Sequence, residues 1–245
     1  MATDGDMYGF GDAEAGARPP ASSARLRRVG GTHSTVDRVA TEVRRAVLDG
    51  SLAPGSTFSI GELAEQLGVS HIPVREALSR LDAQGLIVLR RGRSAMVAPL
   101  DRDELRGIYR LRRRIEPDLA ARSAEQLTSE DVAELGRLFA AIGDPGPNVD
   151  TLWDTHNALH LLLLRPAASR WDLRVLEQLW RAAERYTRVV FDSSFEQRAE
   201  RHAAHQALVT AAGTRSPVDL ARALDEHLIA NEQACLARLT LPAGD

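Results

Sequence analysis

Apolar residues change their spacing along this chain, and the changes divide it. Val36, Val39, Val43, Ala46 and Val47 recur every three or four positions, which predicts a helix over about 35–48 with one apolar face. Ser34 and Asp37 supply an S-x-x-D cap ahead of it, and Gly50 closes it. Leu52-Ala53-Pro54-Gly55 reads as a turn. Ser59 and Glu62 then cap a short helix through Leu67 that ends at Gly68. Ser70 is expected to cap a third helix running to Gln84, with Ala77, Leu78 and Leu81 apolar and Gly85 at its end. Pro73 is tolerated there because first-turn N–H groups have no intrahelical partner. The period then shortens. Leu86 to Leu89 and Ala95 to Ala98 are β-rich runs on either side of Arg90-Arg91-Gly92-Arg93-Ser94, which predicts a small hairpin with a basic tip.

After Pro99 the helical period returns, without a long alternating stretch. Helices are predicted near 101–126, 129–142, 149–164, 168–191, 194–212 and 217–239. Thr128 with Asp131 and Ser216-Pro217 with Asp219 mark two of the starts. The fold class is therefore mainly α: a winged helix-turn-helix over 34–98, of three helices and a β-hairpin wing, followed by an antiparallel all-helical bundle over 101–240. Residues 1–33 are rich in Gly, Ala, Ser, Pro and Arg without periodicity and read as a disordered tail. Arg25, Arg27 and Arg28 sit where such a tail can brush DNA phosphates or simply stay solvated.

Composition narrows the function classes. Hydrophobic residues make up 44% of the 245 but aromatics only 4%, so Ala and Leu carry the packing. No apolar run reaches the roughly 20 residues that span a bilayer. Asp4, Asp6, Asp12 and Glu14 are wrong for a signal peptide. The single cysteine, Cys235, excludes an internal disulfide and fits a reducing compartment. The expected setting is cytoplasmic, with no membrane partner. A net charge of −3 leaves nucleic acid open, because a basic footprint need only be local.

Such a footprint exists. Between residues 75 and 93 five arginines (75, 80, 90, 91 and 93) face two acids, Glu76 and Asp82. A recognition helix enters the major groove with its first turns against base edges. Arg75, one turn into the third helix, is placed for a bidentate guanine contact, and Ser70 and His71 stand at its mouth. These charges can also be no more than a solvated helix face.

The run Val69-Ser70-His71-Ile72-Pro73-Val74-Arg75-Glu76-Ala77-Leu78 closely resembles the GntR family of winged-helix regulators. Leu81, Gly85-Leu86 and Gly92 continue the match, and Leu52 to Gly55 and Glu62-Leu63-Ala64 precede it, so it covers 34–98. The resemblance implies contacts to double-stranded operator DNA from Ser70, His71, Arg75 and Arg80, with Arg91 and Gly92 at the wing tip near the minor groove. Gly61 departs from it, standing where the family commonly has an Arg or Ser on the DNA backbone.

The second region carries five of the seven histidines. His156 and His160 share a helix face at i, i+4; His202 and His205 lie on another helix and His227 on the last. Neutral imidazoles converging from three helices can close a metal site, though a histidine on a helix is more often a surface or satisfied core residue. Ile108-Tyr109-Arg110-Leu111-Arg112 with Ile115-Glu116-Pro117, His156-Asn157-Ala158-Leu159-His160, His205 with Leu208-Val209, and His227-Leu228 resemble the FCD domain of FadR-type GntR regulators. That resemblance implies a metal held by an Asp and three His, often completed by a small carboxylate. It assigns His160, His205 and His227 as ligands and puts His156 in the Asp position, with Leu159 in place of a Phe. Four imidazoles favour Zn²⁺ or Ni²⁺ over harder ions and leave the dication less neutralised, so an anionic effector is favoured; alternatively His156 only lines the pocket. His202 reads as a neighbour of the site or a surface residue. Arg112 matches an effector-lining position and can clamp a carboxylate, or pair with Glu116 one turn on. Trp153, Trp171, Trp180, Tyr186 and Phe191 read mostly as packing.

The expected function is a homodimeric transcription regulator on a palindromic operator, relieved of repression by a small organic acid bound at a divalent metal. The rival readings are a metal sensor, in which the ion is the signal, and a metal hydrolase fused to a DNA-binding module. No H-E-x-x-H is present, and Asp154 lies on another helix face than His156 and His160.

Overall fold

The structure is a computed structural model that describes residues 34–90, 94–143, 149–190 and 195–239. The expected tail, the wing-tip residues Arg91 and Gly92, and Phe191 lie outside the described residues.

The N-terminal portion opens with α1 (Thr35–Leu48), capped as its sequence predicts. Ser34 Oγ accepts from Asp37 N at 3.1 Å, and Asp37 Oδ2 accepts from Ser34 N at 3.2 Å. Val39, Val43 and Val47 are buried along one stripe. Helix α2 (Ile60–Gln66) has the same reciprocal box from Ser59 and Glu62. Gly68 has φ +63°, a left-handed conformation that a side chain would strain, and it turns the chain into α3 (His71–Ala83). At the start of α3 the structure departs from expectation. Ser70 holds the N-cap position in extended conformation, yet its hydroxyl makes no cap hydrogen bond.

The wing also differs. Strands β2 (Ile87–Leu89) and β3 (Ser94–Val97) form the expected hairpin, but β1 (Thr57–Ser59) adds a third strand, in the order β1-β3-β2. Phe58 and Leu89 both oppose Ala95, so β3 is paired on both edges. Three residues are too few to display a period of two, which is why β1 was invisible in the pattern.

Among the described residues six helices follow: α4 (Arg102–Ala124), α5 (Ser129–Gly143), α6 (Val149–Leu164), α7 (Arg170–Val190), α8 (Phe195–Thr214) and α9 (Pro217–Arg238). Two apolar clusters form. One gathers Val39, Val43, Leu78, Leu81 and Leu86; the other gathers Leu105, Tyr109, Leu163, Leu208 and Leu228. Helix α7 reaches across to the first part. Arg185 donates to the carbonyls of Ala98 at 3.2 Å and Pro99 at 3.0 Å, holding the connecting segment, and it ion-pairs with Glu104. Among the described residues no helix is long and apolar enough to cross a membrane.

Candidate functional site

Two faces carry chemistry. On α3, Val74, Ala77, Leu78 and Leu81 are buried, which turns His71, Ile72, Arg75, Glu76, Ser79 and Arg80 outward. Ile72, Arg75, Glu76 and Ser79 fall at i, i+3, i+4 and i+7, a single stripe up the exposed side. Ile72 is 70% exposed, which leaves an apolar side chain free on the first turn of α3. Arg80 Nη1 lies 2.7 Å from Asp37 of α1, with both side chains about half exposed. A pair of that kind contributes roughly 0–1 kcal/mol, so the guanidinium is readily redirected to a phosphate. Gly61 sits behind His71: a Cβ placed there would lie 3.7 Å from the imidazole Cε1, an ordinary contact.

Within the bundle, α6 supplies His156 and His160, α8 supplies His205 and α9 supplies His227. One ring nitrogen from each falls within 4.8 Å of the others. His160, His205 and His227 are buried, and His156 is partly so. Both nitrogens of His160 and Nδ1 of His227 are buried without a hydrogen-bond partner, an arrangement that costs free energy unless something else satisfies them. Burial and the neighbouring imidazoles hold His160 and His227 well below the usual imidazole pKa, so their lone pairs are available near neutrality. His227 Nε2 shares a 2.9 Å hydrogen bond with Asn231, which sets the tilt of its ring. Neutral, buried, converging imidazoles fit a borderline divalent cation. His202 stays apart, its ring 4.1 Å from that of Phe139 and seated over Gly143.

The imidazoles open on a cavity of about 80 Å³, room for a few waters or a small carboxylate on a scale of about 10–15 Å³ per water. Arg112, Trp153, Trp180, Arg188 and Asn231 wall it together with His156, His160 and His205. Arg112 is not idle there. Its Nε lies 2.6 Å from Glu116 Oε1, and Trp180 Nε1 donates to that same oxygen at 2.9 Å. The pairing with Glu116 and the place in the cavity wall therefore coexist. Trp153 stacks on His156 with ring centroids 5.0 Å apart, and its buried Nε1–H has no acceptor.

Residues 35–97 match the profile described as bacterial regulatory proteins, gntR family, and residues 104–230 match the FCD domain. The chain belongs to the GntR family, in its FCD-bearing branch. Both matched families and the named relatives are those of transcription regulators rather than enzymes, which counts against the hydrolase reading. Over 145 residues it is 28% identical to the HTH-type transcriptional regulator McbR of Escherichia coli, covering 58% of this chain and 66% of that one. An uncharacterized HTH-type regulator of Mycobacterium tuberculosis, Rv0494, is 35% identical over 44% of this chain and 46% of its own length. The chain therefore spans less than two thirds of either relative. The HTH-type transcriptional repressor GlaR of E. coli is 26% identical over 76% of this chain and 89% of its own. The solved structure of E. coli McbR/YncC shares the fold, with a TM-score of 0.69, 23% identity, and coverage of 85% of this chain and 100% of that one.

In this GntR regulator one sequence expectation needs correction. Trp171 is not packing: it is 69% exposed, with Arg174 over its ring. Trp180 packs against the bundle's core as expected, and with Trp153 it also lines the cavity. Arg188 and Asn231 were missed altogether. An arginine late in an amphipathic helix looks like any solvated charge until the neighbouring helix is placed.

Proposed function

We propose that this regulator is a dimeric repressor whose operator affinity is set by a small carboxylate held beside a divalent metal, Zn²⁺ or Ni²⁺, in the bundle. One observation carries the reading: four convergent imidazoles, three of them buried, adjoin a cavity that His156, His160 and His205 line together with Arg112, Arg188 and Trp153. His156, His160, His205 and His227 would hold the ion. When bound, it supplies a positive charge that draws an anion into the cavity. Trp153 and Arg188 offer donors to that anion, while the Arg112–Glu116 pair, joined by Trp180, holds another part of the cavity wall in place. On the DNA side, Ser70, His71, Arg75 and Arg80, with Arg91 and Gly92 at the wing, form the operator face, and a two-fold dimer places two such faces on two half-sites. GlaR, a repressor, supports that polarity.

Operators selected from a random duplex library provide the test. Arg75→Ala is expected to weaken the selected site about 5–150-fold, the range of one lost bidentate base contact. Zinc together with acetate, malonate or citrate is expected to lower wild-type affinity. Undiminished binding by Arg75→Ala would remove the operator face as assigned.

A metal-sensing reading has its own support. Four histidines can complete a four-coordinate shell by themselves, leaving no position for a carboxylate. Operator affinity that follows zinc and chelator alone, without any organic acid, selects that reading.

A further inference from the structure

The cavity beneath the imidazoles shares a wall with a larger cleft of about 580 Å³ between α1 and the α6–α7 face; Trp153, Asn157, Trp180 and Arg188 line both. Glu184 stands in that wall, one turn before Arg188 on α7, and is itself buried. Its Oε1 is 2.8 Å from Arg188 Nε, and its Oε2 is ion-paired with Nη2 of Arg44 on α1. Arg44 Nη1 in turn donates to Gln84 Oε1 at 3.3 Å, and Gln84 is the C-cap residue of α3, the helix that carries the operator face. One carboxylate is thus divided between a guanidinium that lines the cavity and a guanidinium that reaches the DNA-binding helices.

The two cavity arginines are not equivalent. Glu116 engages Arg112 through two nitrogens and also accepts from Trp180, so a ligand that took Arg112 would strand a fully buried carboxylate. Arg188 shares its carboxylate with Arg44, so Glu184 keeps a counter-ion when Arg188 turns to a ligand. The Trp153 ring lies under Arg188, 5.5 Å from its guanidinium carbon, and steadies it in the shared wall.

We infer that Arg188 is the effector-contacting arginine and Glu184 the relay: an anion that engages Arg188 hands the Glu184 carboxylate to Arg44, which draws α1 and the end of α3 more firmly against α7. The direction follows from electrostatics. In a poorly solvated wall each ion pair is strong, an incoming anion competes with Glu184 for Arg188, and like-charge repulsion pushes Glu184 toward its other partner. The inference rests on the cavity taking an anion, as proposed above.

Pulsed electron–electron double resonance on the full chain tests it without DNA. Spin labels go on cysteines introduced at Ser79 of α3 and Gln178 of α7, both exposed, while the buried Cys235 stays unlabelled. The probes are zinc with acetate, malonate or citrate. At least one carboxylate is expected to narrow the wild-type distance distribution. Arg188→Gln is expected to show the narrow distribution with no carboxylate present. Glu184→Gln and Arg44→Gln are expected to broaden it equally, and the double variant to broaden it no further, because both remove the Arg44–Glu184 pair that ties α1 to α7. The relay is overturned if Glu184→Gln keeps the wild-type distribution or still narrows with the carboxylate that moves wild type. A wild type that no carboxylate moves, with all variants behaving as stated, overturns the anion reading of the cavity and supports the ion-pair relay.

Discussion

Glu116 and Arg112 lie one turn apart on α4, with Nε 2.6 Å from the carboxylate and side chains 0% and 7% exposed. This ion pair braces one wall of the bundle's cavity, and Trp180 of α7 is tied to it through the same oxygen. Removing one partner leaves a charge buried without its counter-ion. Glu116→Ala is therefore expected to cost about 3–5 kcal/mol, read as a lower denaturation midpoint in urea. The double variant Arg112→Met with Glu116→Leu should recover most of that loss. A Glu116→Ala protein as stable as wild type would show that the pair is not a structural brace.

Ile72 makes a prediction about base choice. Thymine presents its methyl in the major groove, and an apolar side chain on the first turn of α3 can meet it. Wild type is expected to select thymine at one position per half-site, and replacing that base with uracil should weaken binding several-fold. Ile72→Ala should erase the uracil effect; an unchanged effect would assign the methyl to another residue.

Metal content separates the histidines. His160→Ala and His205→Ala are expected to reduce zinc per protomer toward zero by mass spectrometry under native conditions. His202→Ala should leave it unchanged, because that ring packs on Phe139 and Gly143. Zinc should raise the melting temperature of wild type, since an ion that binds only the folded state stabilises it by mass action. Loss of zinc on His202→Ala would redraw the site.

Gly61 leaves room for a side chain, with only ordinary contacts to Ser59 Oγ at 3.4 Å and to the His71 ring. Gly61→Arg is expected to add one phosphate contact and steepen the dependence of log affinity on log salt by about 0.9. An unchanged slope would mean that this position faces away from the backbone.

Cys235 is fully buried, and burial pushes its thiol up to about 12. The thiolate is the reactive form, so raising the pH through the ordinary cysteine value of about 8.5 creates almost none of it in the folded chain. Iodoacetamide at that pH is expected to spare the folded protein and label it at once in urea. Labelling at equal rates in both would place the thiol at the surface.

Much of the fold could be read from the chain. The caps at Ser34, Ser59 and Ser216 and the apolar periods foretold the helices, because both signals act within one or two turns of backbone. Strand β1 escaped because its three residues owe their extended form to pairing with β3 rather than to their own pattern. At the candidate site, the i, i+4 spacing put His156 and His160 on one face; their meeting with His205 and His227 was one open reading of the histidine pattern, and the resemblance favoured it.

Residue order settles what is local: where helices start and stop, which face of each is apolar, and which residues share an exposed stripe on α3. Tertiary structure alone decided that Glu184 stands between Arg188 and Arg44, residues 144 positions apart in number. The reason is physical. Helix periods and caps arise between near neighbours, whereas a charge acquires its partner only when packing brings another element within reach and removes the water between them.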